Sequence, residues 1–141
     1  MNMAWGGICD NNMVALNISE GHKTAKNIKE RGAFTLSIAD IDHLEESDFF
    51  GTASGNNMED KFERTGMHAT KSTRVDAPII EEYPLTLECK VSELQNESYG
   101  FRVLGEIVNV VAEESVLDEN GKVNPTKLNA FVFDQFQNGY Y

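Results

Sequence analysis

Long hydrophobic runs are absent from this sequence, and their absence excludes two classes of protein. No apolar stretch among the 141 residues approaches the roughly 18 residues of a transmembrane helix. Residues 1–7 lack the basic flank and the long apolar stretch of a secretory signal peptide. The sequence therefore predicts neither a membrane-spanning nor a secreted protein.

Cysteine is also scarce, with only Cys9 and Cys89 in the chain. Two cysteines are too few for a disulfide framework, and these two are too widely spaced in the sequence for a zinc site. We therefore expect a reduced, cytoplasmic protein in which both cysteines are small, buried, hydrophobic residues.

Motifs for catalysis and for metal or nucleotide binding are missing too. The histidines, His22, His43 and His68, do not pair with cysteine or glutamate at the spacing of metal ligands, and no nucleophilic triad is apparent. Neither the GxGxxG nor the Walker pattern occurs. We therefore assign no metal site and no catalytic side chain. If the protein is an enzyme, we expect a bound cofactor to carry the chemistry.

Basic residues are few relative to acidic ones. Twelve lysines and arginines stand against 23 aspartates and glutamates, which gives a formal net charge of −11 at pH 7. So acidic a surface disfavours nucleic acids and anionic membranes as partners. A phosphate-bearing ligand would therefore need a specific local cluster of donors and cations.

What the sequence does contain is a series of short apolar or alternating segments, which predict strands. Strands are predicted over residues 13–19, 33–39, 85–92, 101–111 and 130–133. Gly105 lies inside the fourth of these and indicates a bulge or a close backbone approach. In the third, Leu85, Leu87, Cys89 and Val91 are expected to alternate with solvent-facing neighbours.

Polar segments between the strands predict helices over residues 21–31, 42–49 and 57–64. In the first, Ala25 and Ile28 share one face and Gly32 stands at the C-cap. Asp42 is expected to cap the second. Because strands dominate and helices interrupt them, the sequence predicts a small, mainly antiparallel β-barrel with inserted helices.

The segment around Ser19, His22, Lys23 and Thr24 has the composition of an anion site. There a strand ends and a helix begins, and a helix N-terminus offers free N–H groups and a partial positive charge. Lys23 adds a full charge, and the two hydroxyls add donors. The alternative is a solvated turn that Thr24 caps.

Two further segments suit a ligand. Gly55, after Ser54, permits a tight turn near a bound group, and Lys61, after Asp60, can reach a polar ligand edge. The alternative for this pair is a solvated helix face. Trp5, the only tryptophan, is followed by two glycines, which suits a flat ring. Its alternative is a core tryptophan at a strand end.

Taken in order along the chain, nine stretches resemble the flavin-reductase-like, FMN-binding split β-barrel family of the flavoredoxin type. They are MNMAWGGI (1–8), GHKTAKNI (21–28), GAFT (32–35), DFFGTASG (48–55), DKF (60–62), DAP (76–78), YPLTLEC (83–89), GEI (105–107) and GYY (139–141). The resemblance implies one such domain over residues 1–141, without the family's N-terminal strand and trimmed at the C-terminus.

The same resemblance implies a cofactor, FMN, bound without a covalent bond, in a homodimer with FMN near the interface. The implied contacts fall into three groups. Met1, Asn2, Met3, Ala4 and Trp5 match the segment that lines the isoalloxazine and ribityl parts, Ser19, His22, Lys23 and Thr24 match the phosphate side, and Ser54, Gly55, Asp60 and Lys61 match a second loop.

For function, the resemblance implies an FMN-dependent oxidoreductase, such as a flavin reductase in which hydride passes from NADH or NADPH through FMN. A non-enzymatic FMN carrier that serves a partner protein is the alternative, and the net charge of −11 suits docking to a basic partner. A third hypothesis is a relative of the same fold that has lost its cofactor.

Overall fold

The computed structural model describes residues 1–3 and 5–141, and within them the chain is mainly β with three short α-helices. The strands are β1 (Gly6–Asp10), β2 (Met13–Ser19), β3 (Ala33–Ile38), β4 (Ala69–Lys71), β5 (Pro78–Ile80), β6 (Leu85–Glu97), β7 (Gly100–Ala112), β8 (Phe133–Asp134) and β9 (Gly139–Tyr140). The helices are α1 (Lys23–Arg31), α2 (Leu44–Thr52) and α3 (Pro125–Leu128), with 3-10 turns at Ile41–His43, Glu63–Thr65 and Glu114–Val116.

Five strands form one antiparallel sheet in the order β1-β2-β7-β6-β3. Two antiparallel pairs, β4–β5 and β8–β9, lie outside it. None of the helices in the described part of the chain is long and apolar enough to cross a membrane. The prediction of a mainly β, antiparallel protein with inserted helices is confirmed.

The core lies on one face of the sheet, where β2 and β7 supply Val14, Leu16, Ile18, Phe101 and Val103. All five are at least 96% buried, with exposures between 0% and 4%. Helix α1 covers this face with its two buried residues, as its spacing predicts. It ends at a glycine in the left-handed conformation with φ of 63°, which confirms the predicted C-cap.

Gly105 is closely approached, but by a side chain rather than by backbone, and the β6–β7 register shifts beside it, between Val91 and Glu93. A Cβ at this position would stand 2.4 Å from the ring of Phe34 on β3, so only glycine lets the ring cross the strand there. The Phe34 side chain thus reaches across β6, which separates the two strands in the sheet, and packs on the middle of β7.

Strand β6 differs from its predicted alternation. Thr86 and Glu88 are as buried as Cys89, with about 1% exposure or less for each. The Oγ of Ser72 and the Nδ2 of Asn109 both donate to the Glu88 carboxylate, and Thr86 shares a hydrogen bond with Ser37. Both faces of β6 are covered here, and the polar face is buried because its groups are paired.

The two cysteines also differ from each other. Cys89 is buried as predicted, and burial, with a smaller contribution from Glu88, raises the pKa of its thiol to about 12. The prediction that Cys9 is buried is wrong, because it lies on β1, an edge strand whose residues are all exposed.

Three further local predictions are wrong in part. Asp42 does not cap α2 but lies inside the preceding 3-10 turn. Residues 57–64 form turns rather than a helix, because the carbonyl of Ser54 accepts the N–H groups of both Asn57 and Met58 and closes the chain locally. Residues 130–133 are not one strand, since β8 begins only at Phe133 and pairs with β9.

Candidate functional site

The N-terminus of α1 carries the strongest set of free donors in the predicted site. His22 is the N-cap residue, with extended backbone and no side-chain cap hydrogen bond, and no acidic residue lies in the first turn. Within the described part of the chain, the N–H groups of Lys23 and Thr24 have no protein acceptor. Thr24 therefore does not cap the helix, and the turn keeps both donors for a ligand.

Residues 54–56 are distant in the sequence but pack directly on the turn at the N-terminus of α1. Asn56 donates from Nδ2 to the carbonyl of Gly21 over 2.7 Å. A Cβ at Gly55 would lie 3.2 Å from Cδ of Lys23, so the loop runs alongside the lysine stem. The Oγ of Ser54 accepts the N–H of Asn56, which fixes the loop's own turn. Two of the three predicted segments are therefore brought together.

Lys61 is held by backbone carbonyls at the end of α2. Its Nζ donates to Phe50 over 2.8 Å and to Ala53 over 2.6 Å, and burial lowers the pKa of the ammonium group. The ammonium is thus a C-terminal cap for α2. The alternative of a solvated helix face does not apply, because residue 61 lies in a turn and is half-buried.

The first residues lie on the other side of α2. Burial, and to a smaller extent the charge of Lys61, lower the pKa of the Met1 amino group to about 6. Asn2 donates to the carbonyl of Ser47 over 3.2 Å, and its Cβ would be 3.0 Å from a Cβ at Gly51. Helix α2 and the loop after it therefore border both predicted segments.

The remaining predicted residues are placed less centrally. Met3 packs against the core of the sheet. Trp5 is 54% exposed, so it is not a core tryptophan, and its carbonyl accepts the N–H of Asn17. Ala4 lies outside the described residues.

Two residues of the other predicted segments are engaged within the protein. Ser19 ends β2 and accepts the N–H of His22 through its carbonyl, and Asp60 pairs with Arg64 over 2.9 Å on the surface.

Sequence reasoning missed the residues that fasten this region together. Asn56 carries the contact between the loop and the turn at Gly21, and Tyr140 donates to Asp48 over 2.6 Å while accepting from Asn2. Burial, followed by the hydrogen bond to Asp48, raises the pKa of Tyr140 to about 12. These partners are 35 and 92 residues apart, so no local spacing could have revealed them.

A metal centre finds no support in this geometry. Among the described residues, no group of three or more histidine, cysteine, aspartate or glutamate side chains is arranged to hold an ion. Acidic groups near the site, such as Asp48 and Asp60, are engaged by Tyr140 and Arg64.

Comparison with known proteins decides the family. The model of the flavin reductase like domain matches residues 8–130. The chain belongs to the flavin reductase like domain family. The match covers the five-stranded sheet from residue 8 onward, α1, α2, and the loop after α2 that packs on the N-terminal turn of α1.

Solved structures and a curated relative agree with this membership. Flavoredoxin of Desulfovibrio vulgaris (Miyazaki F) is 34% identical, with a TM-score of 0.92 over 99% of this chain and 75% of that one. A 2-nitrobenzoate 2-nitroreductase of Pseudomonas fluorescens is 29% identical, with a TM-score of 0.67 over 79% of this chain and 55% of that one. An uncharacterized protein of Archaeoglobus fulgidus is 30% identical over 111 residues, which are 77% of this chain.

The chain spans only 62% of the length of that curated relative. The structural similarity confirms the predicted split-barrel fold, because it extends over nearly the whole chain. Family membership supports a flavin as the cofactor.

The residues present fit the phosphate end of a flavin nucleotide. The turn offers two unpaired N–H groups, the Lys23 ammonium and the Thr24 hydroxyl, with no acidic residue in the first turn to oppose an anion. Gly55 keeps the space beside the lysine stem free of a side chain. This donor set is the chemistry that a phosphomonoester requires.

Proposed function

We propose that this protein binds FMN without a covalent bond, with the phosphate at the N-terminus of α1. The observation that carries the proposal is the pair of unpaired N–H groups at Lys23 and Thr24, with the Ser54–Gly55 loop packed beside them. Both features come from separate parts of the chain, and both point to the same small volume. Membership of a flavin reductase like family supports a flavin nucleotide as the ligand that carries this anion.

The ring end of FMN is proposed to lie along residues 1–5. The half-exposed Trp5 provides a flat aromatic surface, and Asn2 is fixed by its bonds to α2 and Tyr140. These contacts orient the segment before any ligand arrives, which lowers the cost of binding.

When bound, FMN would supply hydride and electron transfer, with NADH or NADPH as the proposed donor. The chain's own residues would bind the phosphate and orient the ring. We assign no acid or base, since this chemistry does not demand one from the protein. The proposed activity is that of an NAD(P)H-dependent flavin reductase or a related oxidoreductase.

The absorbance spectrum of the purified protein, followed by titration with FMN, tests the cofactor. We expect flavin bands or saturable binding, and a colourless protein that fails to bind added FMN would contradict the proposal. NADH or NADPH oxidation with FMN and an acceptor then tests the activity. Turnover with neither nucleotide would exclude the reductase.

A non-enzymatic FMN carrier is the second candidate. The 34% identity to a flavoredoxin and the net charge of −11 favour it, since an acidic surface suits electron transfer to a basic partner protein. FMN that is reduced and reoxidised by a partner, but not by NADH or NADPH, would favour this candidate over the reductase.

We also propose that the protein is a homodimer with FMN near its interface. The proposed site lies on an open surface, where His22, Lys23 and Trp5 are all exposed. A second copy would exclude water from the ring. Light scattering during size-exclusion chromatography should give twice the 15.7 kDa chain mass, and a monomer that binds FMN tightly would contradict the proposal.

A further inference from the structure

A groove of about 600 Å³ lies at the opposite end of α1 from the proposed FMN site. It is bounded by the C-terminal end of α1, the 71–76 segment between β4 and β5, and the middle of β6. The groove is wide and open to solvent, so a ligand there would be held by charge rather than by enclosure.

Four basic residues line this groove: Arg31, Lys71, Arg74 and Lys90. They are a third of the twelve basic residues of a chain whose acidic residues number 23. Asp76 is the one carboxylate in the lining, so the groove has a formal charge of +3 in a protein of −11. Positively charged side chains this close together repel one another unless an anion is bound among them.

The ion pairs in the groove leave much of this charge unmatched. Arg31 and Lys71 share Asp76, at 2.8 Å and 3.2 Å. Arg31, more than Lys71, holds the pKa of that carboxyl below its usual range, so it stays ionised. Among the described residues, neither Arg74 nor Lys90 has a carboxylate within 4.0 Å. Two cationic side chains are therefore free to meet a ligand.

The backbone beneath Arg74 is fixed. The Oγ of Ser72 accepts the N–H groups of Arg74 and Val75, both over 2.9 Å, and donates to the buried Glu88. Ser72 itself is 6% exposed. The turn that presents Arg74 is thus anchored to the centre of β6, which reduces the ordering that ligand binding requires.

We propose that this groove is a second anion site, which binds a small soluble ligand carrying a phosphate or pyrophosphate group. A charge of +3 matches a multiply charged anion better than a monocarboxylate, and the two guanidinium groups have the geometry that binds phosphate oxygens in pairs. The acidity of the rest of the surface opposes docking on an anionic membrane or nucleic acid.

This site is distinct from the one proposed for FMN. Lys23 begins α1 and Arg31 ends it, so eight rises of about 1.5 Å separate their backbones by about 12 Å along the helix. No residue of the groove is among those assigned to FMN. The inference therefore does not depend on the proposed function.

Calorimetric titration with inorganic pyrophosphate, and separately with ADP, tests the site at about 0.15 M ionic strength, where charges beyond about 8 Å are screened. The titrations are run with and without excess FMN, which occupies its own site if the proposed function holds. We expect saturable binding in both cases. Equal affinities for pyrophosphate and ADP would mean that the site recognises the phosphate groups alone. A higher affinity for ADP would mean that it recognises a nucleotide.

The decisive variant is Lys71→Gln with Arg74→Gln and Lys90→Gln. Its matched control, Lys26→Gln with Arg102→Gln and Lys122→Gln, removes the same charges elsewhere. We expect at least tenfold weaker pyrophosphate binding in the groove variant only, with circular dichroism unchanged in both. Absence of binding at millimolar pyrophosphate, or equal weakening in the control, would overturn the site. Loss of FMN affinity in the groove variant would instead mean that the groove holds the phosphate of FMN, which also overturns it.

Discussion

The core of the five-stranded sheet and the loop of residues 53–66 are built by different interactions. In the core, apolar side chains such as Val14, Phe101 and Val103 are completely buried. None of residues 53–66, all of them within the described chain, is buried. The loop is held by Asn56 and Lys61, whose side chains donate to backbone carbonyls, and by the ring of Phe62, which stacks on Phe50 of α2. Full burial of apolar side chains thus sets the fold, while two polar tethers and one partly buried ring set the position of the loop.

The largest expected effect comes from removing a core aromatic ring. Phe101→Ala should lower the free energy of unfolding by about 3–5 kcal/mol, because the ring is fully buried and leaves a cavity. Urea unfolding measures it. The matched control is Phe136→Ala, whose ring is 90% exposed and whose loss should cost less than about 0.5 kcal/mol. Equal losses in the two variants would break the contrast between core and surface.

A smaller loss is expected from filling the space that Gly105 leaves for Phe34. Gly105→Ala should destabilise the protein by about 1–3 kcal/mol, because the new methyl group overlaps the ring and forces it to move. Gly7→Ala is the control, since a Cβ there meets nothing within 4 Å. Urea unfolding of both variants makes the comparison, and an unchanged stability in Gly105→Ala would show that the ring has room to shift.

These core features are the ones that sequence could predict. The apolar run of β2 and the glycine inside β7 are local patterns, and each indicates its structural role without knowledge of distant contacts. The burial of Glu88 was not predictable in this way, because its partners Ser72 and Asn109 are 16 and 21 residues distant. The exposure of Cys9 was also not predictable from local sequence, because only the order of the strands in the sheet shows that β1 is an edge strand.

The features of the site fall into the same two groups: those that local sequence predicts and those that depend on contacts with distant residues. The turn at Lys23 was predictable from a strand end, a glycine and a helix start. Its contact with Asn56, and the anchoring of Lys61 by α2, depend on where the chain returns after 35 and 8 residues. Local sequence specifies donors, but it does not specify which donors the protein already uses.

Lys61→Met tests whether polar tethers hold the loop. Methionine keeps the length of the stem but removes two charge-assisted bonds to carbonyls, so we expect a loss of about 1–2 kcal/mol. Hydrogen exchange should also show faster opening at the end of α2. Lys26→Met is the control, because its side chain is 75% exposed and its ion pair with Glu30 is a surface pair. Exchange rates that match the control would contradict the role of Lys61 as a tether.

Lys23→Ala with Thr24→Ala separates binding from stability. We expect FMN affinity to fall about tenfold, which corresponds to about 1.4 kcal/mol, because a cation and a hydroxyl donor are lost from the proposed phosphate site. Stability should change by less than this. Lys26→Ala with Asn27→Ala removes a similar pair from the exposed side of the same helix and should leave FMN affinity unchanged. Unchanged affinity in the Lys23 variant would remove the phosphate assignment.

The smallest expected effect concerns Tyr140. Its side chain links β9 to α2 and to Asn2. Tyr140→Phe should cost about 0.5–1.5 kcal/mol near neutral pH, because the Asp48 carboxylate loses its donor. The folded-state pKa of Tyr140 is raised from 10.0 to about 12, so the neutral phenol is the form that stabilises the fold. That contribution is fully present below about pH 10 and is lost as the pH rises through about 12.

The stability difference between the native protein and Tyr140→Phe should therefore shrink above about pH 10. The control is Tyr141→Phe, at a 64% exposed position, which should differ little from the native protein at any pH. A difference for Tyr140→Phe that stays constant to about pH 12 would mean that the phenol proton is not what ties Asn2 and α2 together.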